Sequence, residues 1–234
     1  MKVIAIVPAR CGSKGFPHKN IAKINDKTLL ELAVKVGIDC AIVDDVYIST
    51  DCYEYEKIAL NAGAKSIGLR PKELATDTAK SIDAIVYLLE NIDKVYDYVV
   101  LLQPTSPLRA PIDIEQMIKN IEHEKADASV SIVKLEEPHP YKLKSIDNGY
   151  IEPFIKGTDS ELPRQSLPKA YALNGALYGI KMDTLLNTKT FLPKKTIPYV
   201  MDNLINVDTE EDFLFLKMMQ KEHKISIYGV NDGQ

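Results

Sequence analysis

Near the start of the chain, Ala9-Arg10-Cys11-Gly12-Ser13-Lys14-Gly15, with Lys19 just beyond, combines the residue types an anion cradle needs. Gly12 and Gly15 carry no Cβ, so backbone N–H groups can come close to a bound anion. Arg10, Lys14 and Lys19 supply positive charge, and a guanidinium can grip a phosphate through two parallel N–H bonds. The spacing is neither Gly-x-x-x-x-Gly-Lys-Ser/Thr nor Gly-x-Gly-x-x-Gly, which sets aside those two nucleotide-binding devices. On residue types alone the segment fits an anion-binding turn and also a solvated basic turn.

The remaining composition narrows the chemistry. Three cysteines (Cys11, Cys40, Cys52) show no Cys-x-x-Cys spacing, and their odd number does not make a disulfide framework. The histidines at 18, 123, 139 and 223 lack zinc-ligand spacing. A net charge of −4 argues against a general nucleic-acid or membrane-surface binder, which needs a basic stripe, yet allows a local basic pocket. No apolar run approaches membrane-spanning length. The first strand pattern starts at Lys2, which leaves no room for a leader peptide, so a cytoplasmic location is expected. With 45% hydrophobic and 26% charged residues, the 234-residue chain is expected to form a single globular domain over residues 1–234.

The elements that must hold the basic loop follow an alternating pattern. Lys2-Val-Ile-Ala-Ile-Val7 is an uninterrupted apolar run, as in a parallel strand buried on both faces. The loop from Pro8 to Asn25 follows. Leu29, Leu32, Ala33, Val36 and Cys40 recur at helical spacing after Thr28, an N-cap residue type. Val46 to Ser49 reads as a strand, 53–62 as a helix ending near Gly63, and Ala64 to Gly68 as a short third strand. Ser81 to Asn91 reads as a helix. Tyr98 to Leu102 is the most hydrophobic strand pattern and halts at Gln103-Pro104. Pro111 fits the first turn of a helix reaching about Glu124, and Ala128 to Val133 is a further strand. Strands alternating with helices imply an α/β fold with a doubly wound, mostly parallel sheet. Ligands of such sheets sit beyond the carboxyl ends of the strands. That places the loops after the first strand and after Leu102 on the functional edge.

Between Glu136 and Pro168 the texture changes: prolines at 138, 140, 153, 163 and 168 surround Asn148-Gly149, the pattern of a hairpin-bearing excursion from the sheet. Asn174 to Ile180 reads as a returning strand and Asp208 to Lys221 as a final amphipathic helix.

Residues 7–21, Val-Pro-Ala-Arg-Cys-Gly-Ser-Lys-Gly-Phe-Pro-His-Lys-Asn-Ile, resemble the signature of the acylneuraminate cytidylyltransferases, the CMP-sialic acid or CMP-nonulosonic acid synthetases. Six further segments follow in family order: 48–51, 69–78, 101–109, Pro163-Arg-Gln165, Asn174-Gly-Ala-Leu-Tyr178 and 206–212. The resemblance implies a nucleotide-diphospho-sugar transferase-like fold with a β-rich dimerisation arm at about residues 136–172. It implies a reaction in which CTP and a nonulosonic acid give a CMP-sugar and pyrophosphate, with Mg2+. It assigns Arg10, Gly12, Ser13, Lys14, Lys19 and Asn20 to the CTP side, and Arg70 and Ser81 to the cytosine or ribose. For Ser81 a helix cap fits equally. Gln103 would lie near the sugar acid, unless its amide ties loop backbones together, and Arg109 would order its own loop. Lys142 and Arg164 would meet the sugar carboxylate from the partner of a homodimer with exchanged arms, or form salt bridges at the rim. Asn174 and Tyr178 match the family's sugar-side motif, although Gly175 also fits a need for close packing. Arg10, Lys19, Gln103 and Asp208 form the expected catalytic set.

Two positions depart from the family pattern. Where the family carries Asp-x-Asp, this chain has Asn206-Val207-Asp208. An amide can ligate Mg2+ through its carbonyl oxygen but brings no charge, so Asp208 is the expected carboxylate ligand, with Asn206 as its neutral companion. The alternative for Asp208 is a cap on the following helix. Ala172 stands where sialic-acid enzymes often have arginine, which points toward legionaminic acid as the nonulosonate. A cytidylyltransferase for the eight-carbon 3-deoxy-octulosonate shares the fold but carries an acidic residue at the place of Gln103. A non-catalytic nucleotide-binding regulator on the same fold is the reading from another class. No histidine falls in a matched motif, and His18 reads as a loop residue, so the sequence names no general base.

Overall fold

The computed structural model describes residues 1–12, 15–76, 78–202 and 205–230. In chain order its elements are β1 (Val3–Pro8), β2 (Lys23–Ile24), β3 (Lys27–Thr28), α1 (Leu29–Ile38), β4 (Asp45–Ser49), α2 (Tyr53–Asn61), α3 (Ser81–Glu90) and β5 (Tyr98–Leu101). They continue with α4 (Pro111–His123), β6 (Ala128–Leu135), β7 (Lys144–Asp147), β8 (Tyr150–Pro153), β9 (Ala170–Lys181), α5 (Met182–Thr188), β10 (Thr196–Met201) and α6 (Glu210–Lys221). The central sheet runs β10-β6-β9-β5-β1-β4. β1 is parallel to β4 and β5, and β10 to β6, while β9 runs antiparallel to both β5 and β6. This is the α/β, mostly parallel architecture that the alternating pattern implies.

The alternation of side chains along β1 divides the core in two. Val3, Ala5 and Val7 join Leu30 and Val34 of α1, Tyr55 and Ala59 of α2, and Ile114 and Ile118 of α4 on one face. Ile4 and Ile6 join Ile85 and Leu88 of α3 and Leu185 of α5 on the other. A third cluster packs α6, through Phe213 and Leu216, against Ile24, Leu29 and Leu108. Burying β1 on both faces, with every residue from Val3 to Val7 inaccessible, fixes where its carboxyl end delivers the basic loop.

Local signals set the helix starts. Thr28 Oγ1 accepts the Glu31 N–H at 3.1 Å and Glu31 Oε2 accepts the Thr28 N–H at 2.7 Å, a capping box worth about 1 kcal/mol. Thr209 does the same with Asp212 at the start of α6, so Thr209, not Asp208, caps that helix. The expected third strand at 64–68 shrinks to one parallel bridge between Tyr47 and Lys65. Beyond Ala64, Ser66 and Gly68 turn the chain out of the sheet, with the Gly68 N–H donating to Ser66 Oγ at 2.9 Å.

The excursion contains the hairpin β7–β8, turned at Asn148 (φ 49°) and Gly149 (φ 85°), the paired left-handed conformations of a tight hairpin turn. It forms its own two-stranded sheet and leaves Ile146, Tyr150 and Ile151 exposed. Among the described residues no helix is long and apolar enough to cross a membrane.

Candidate active site

Where β1 and β5 end, the chain opens a cleft of about 720 Å³ whose walls include Arg10, Lys19, Arg70, Gln103, Asn206 and Asp208. Asn20 and Ser81 also line it. Residues far apart in sequence thus meet at the edge where an open α/β sheet binds its ligands. Gly12 faces open space: a Cβ there would meet nothing within 4 Å. Ser13 and Lys14 lie outside the described residues.

The wall after β1 is basic and braced from behind. Asn20, buried in a short 3-10 turn, donates from Nδ2 to the Arg10 carbonyl at 3.1 Å. Asp51 accepts the Cys11 N–H at 3.0 Å, and the same Oδ1 lies 3.6 Å from Arg70 Nη2. Arg70 is buried, and its Nε has no hydrogen-bond partner. Burial pushes its pKa down, as does the positive charge of Arg10, while Asp51 works in the opposite direction. Asp51 thus faces the buried guanidinium of Arg70, which also feels the positive charge of Arg10, and added negative charge here would ease that crowding. Ser81 is the first residue of α3 and makes no cap bond; the cap position belongs to Lys80, also without a side-chain bond.

The opposite wall is the loop after β5. Its shape depends on Arg109, a fully buried guanidinium whose pKa burial pushes down to about 9. Arg109 Nη1 lies 2.8 Å from the Gln103 carbonyl, 2.6 Å from that of Ser106 and 3.2 Å from that of Ala176. These contacts lash the loop to β9 and set Gln103 on the cleft. Opposite it, β9 slips register against β6 between Val130 and Ile132. Inside this irregularity Ser131 Oγ donates to Asn174 Oδ1 at 2.6 Å and accepts the Leu177 N–H at 2.8 Å. Gly175, at φ 72°, approaches Gln103 and Ser106. Bulges of this kind re-aim side chains beside sites.

The floor is closed by the run before α6. The Val207 N–H donates to the Thr105 carbonyl at 2.7 Å. Asp208 Oδ1 accepts from Lys19 Nζ at 2.7 Å, and Asp208 Oδ2 from Asn206 Nδ2 at 2.5 Å. Asn206 Oδ1 in turn accepts from Ser106 Oγ at 2.8 Å. A Cβ on Gly15 would lie 2.9 Å from the Asp208 carbonyl, so glycine lets the basic loop close on this run. Among the described residues no group of three or more His, Cys, Asp or Glu gathers as a metal site.

Four expected sugar-side residues are absent from the walls of this cleft. Lys142 lies in an exposed turn on the excursion. Arg164 pairs at the surface with Glu136 (3.0 Å) and Glu137 (3.8 Å). Asn174 is buried between β6 and β9. Tyr178 sits against the cluster under α3 and α5, edge-on to Phe191 at 5.8 Å, and burial pushes its pKa up. Sequence reasoning gave no role to Asp51, which bridges the basic loop and Arg70, or to Ser106, which ties the two far walls together. Both fall inside segments that match the family, and only the folded distances show what they do.

Such a cleft can hold a polyanion on the Arg10–Lys19–Arg70 wall and a second polar molecule beside Gln103, with the exposed carboxylate of Asp208 between the loops. A family model described as cytidylyltransferase matches residues 4–146. The N-acylneuraminate cytidylyltransferase of Streptococcus agalactiae serotype V is 33% identical over 96% of this chain and 57% of its own length. The chain therefore spans little more than half of that relative. The CMP-N,N'-diacetyllegionaminic acid synthase of Legionella pneumophila is 29% identical over 94% of this chain and 97% of its own length. In fold, the chain is similar to a CMP:2-keto-3-deoxy-manno-octonic acid synthetase complexed with CTP, with a TM-score of 0.71 at 18% identity, covering 95% of this chain and 100% of that one. The family model covers more than half of the chain, which therefore belongs to the cytidylyltransferase family.

Proposed function

We propose that the chain joins CTP to a nonulosonic acid, releasing pyrophosphate and forming the CMP-sugar. The observation that carries this reading is the convergence of Arg10, Lys19, Arg70, Gln103 and Asp208 on one cleft. Arg10 and Lys19, with Gly12, Ser13, Lys14 and Asn20, take the triphosphate; Arg70 and Ser81 take the cytidine end. Gln103 faces the sugar acid. The anomeric oxygen forms its bond to the α-phosphorus as the bond from that phosphorus to pyrophosphate breaks, and the hydroxyl proton leaves. Charge grows on the phosphoryl oxygens and on pyrophosphate, and fixed cations already in place stabilise it without reorganising.

Mg2+ keeps most of its waters and binds through one or two carboxylates together with substrate phosphates. Asp208, with its side chain 63% exposed beside the triphosphate wall, fits that requirement. When bound there, Mg2+ would neutralise phosphate charge. The carbonyl oxygen of Asn206 is engaged by Ser106, so the carboxylate of Asp208 is the better-placed ligand.

The sugar side is completed by a second copy of the chain. The excursion exposes Ile146, Tyr150, Ile151 and Phe154, and β9 exposes Tyr171 and Leu173, apolar side chains that a second copy would cover. In a homodimer with exchanged arms, Lys142 and Arg164 are then free to meet the partner's sugar carboxylate, Arg164 exchanging Glu136 and Glu137 for it. Ala172, on β9 opposite Val133, favours legionaminic acid over N-acetylneuraminic acid, in keeping with the legionaminic acid relative. Mass spectrometry of reactions containing CTP, Mg2+ and one acid at a time tests both levels. A CMP-nonulosonate should form, with the legionaminate product in excess. A CMP-octulosonate as the only product would overturn the nonulosonate reading, and equal yields from the two nonulosonates would remove the finer preference.

A further inference from the structure

Lys19 and Asp208 suit different parts of a metal-bound nucleotide, one a phosphate and the other the cation, yet here the two pair with each other at 2.7 Å. Exposed ion pairs are weak, at most about 1 kcal/mol, largely because two flexible side chains must be held in one geometry. Here one side is held. Asn206 donates to Asp208 Oδ2 at 2.5 Å, and its own Oδ1 is fixed by the hydroxyl of Ser106, which is buried. The amide is therefore turned with its N–H group toward the carboxylate and its one cation-ligating atom away from it. A carboxylate at position 206 would repel Asp208 at this distance; the amide attracts it.

We infer that Asn206 is a positioning residue which holds Asp208 beside Lys19, so that the site discriminates against nucleotide lacking a cation. This rests on the reading of the cleft as a CTP site. A triphosphate that reaches Lys19 meets a carboxylate that cannot swing away. Without a cation the two negative groups repel. With one, the same carboxylate is already where the cation needs it. Loosening Asn206 relieves the repulsion in the first case and gives no benefit in the second.

The test is isothermal titration of CTP into the full chain, once with EDTA and once with Mg2+, for the natural protein, Asn206→Ala and Ser106→Ala. Both variants keep the net charge, and thermal unfolding verifies that they fold. Asn206→Ala should bind metal-free CTP about threefold to tenfold tighter, the equivalent of one released hydrogen bond. With Mg2+ its affinity should be unchanged or weaker. Ser106→Ala, which frees the tether at its other end, should repeat this split to a smaller degree. A change of the same sign and size under both conditions, or no gain with EDTA, overturns the inference. No CTP binding by the natural protein under either condition overturns the reading of the cleft, and the inference with it.

Discussion

The Cβ that Gly175 lacks would lie 2.9 Å from Gln103 Oε1 and 2.8 Å from Ser106 Oγ, so a backbone irregularity in β9 leaves the room in which the Gln103 amide stands. At φ 72° an alanine is also strained. Gly175→Ala should cost about 1–3 kcal/mol in urea unfolding through strain and overpacking. It should raise KM for the sugar acid while leaving CTP affinity in the presence of Mg2+ within about twofold, because it displaces Gln103 and not the basic wall. An equal loss toward both substrates would show that Gly175 serves general packing only.

Arg10 belongs to the wall that every sugar acid shares. Removing one preorganised stabiliser of developing phosphoryl charge costs about 100-fold to 1,000-fold in kcat. Arg10→Ala should lose that factor with each nonulosonic acid alike in steady-state assays. A loss confined to one acid would contradict the division between a triphosphate wall and a sugar wall.

Arg109 is the buried cation that shapes the Gln103 loop, with one nitrogen facing three carbonyls. Arg109→Met leaves those acceptors unsatisfied, and the expected loss of stability in urea unfolding is about 3 kcal/mol. A loss below about 1 kcal/mol would mean that the loop holds its shape without the guanidinium.

How far these features were legible in the sequence depends on the range of the forces that fix them. The apolar run of β1 and the N-cap at Thr28 announce themselves because burial pattern and capping act within a few residues. The Asn148-Gly149 turn does so for the same reason. β10 gave little signal: it lies at the edge of the sheet and contains Pro198, a residue that weakens a strand reading. α5 spans less than two turns and shows no periodicity to read. The Lys19–Asp208 pair joins residues 189 positions apart, and no local rule links them. The bond from Ser131 to Asn174, at a register slip between β6 and β9, is likewise a long-range feature that no local pattern shows.

The end of the sheet away from the cleft supplies a pH dependence. Burial raises the pKa of Asp45, but hydrogen bonds from Lys65, Lys94 and Tyr96 outweigh it and bring the carboxyl down to about 2. In the unfolded chain an aspartate titrates near ~3.9. The folded value is the lower one, so this contribution to stability is complete above about pH 5 and is lost as pH falls toward 2. Relative to Asp45→Asn, the natural chain should have a stability advantage that is flat above about pH 5 and shrinks below about pH 4 in denaturant unfolding. A difference independent of pH would contradict the network.

The most direct measurement is pyrophosphate release by the purified chain with CTP and Mg2+, offered N-acetylneuraminic, legionaminic and 3-deoxy-octulosonic acids in turn. Release that depends on a nonulosonic acid, and falls away when EDTA removes the cation, is the expected result. CTP binding with no pyrophosphate released from any acid would contradict it and make the chain a nucleotide binder without catalysis.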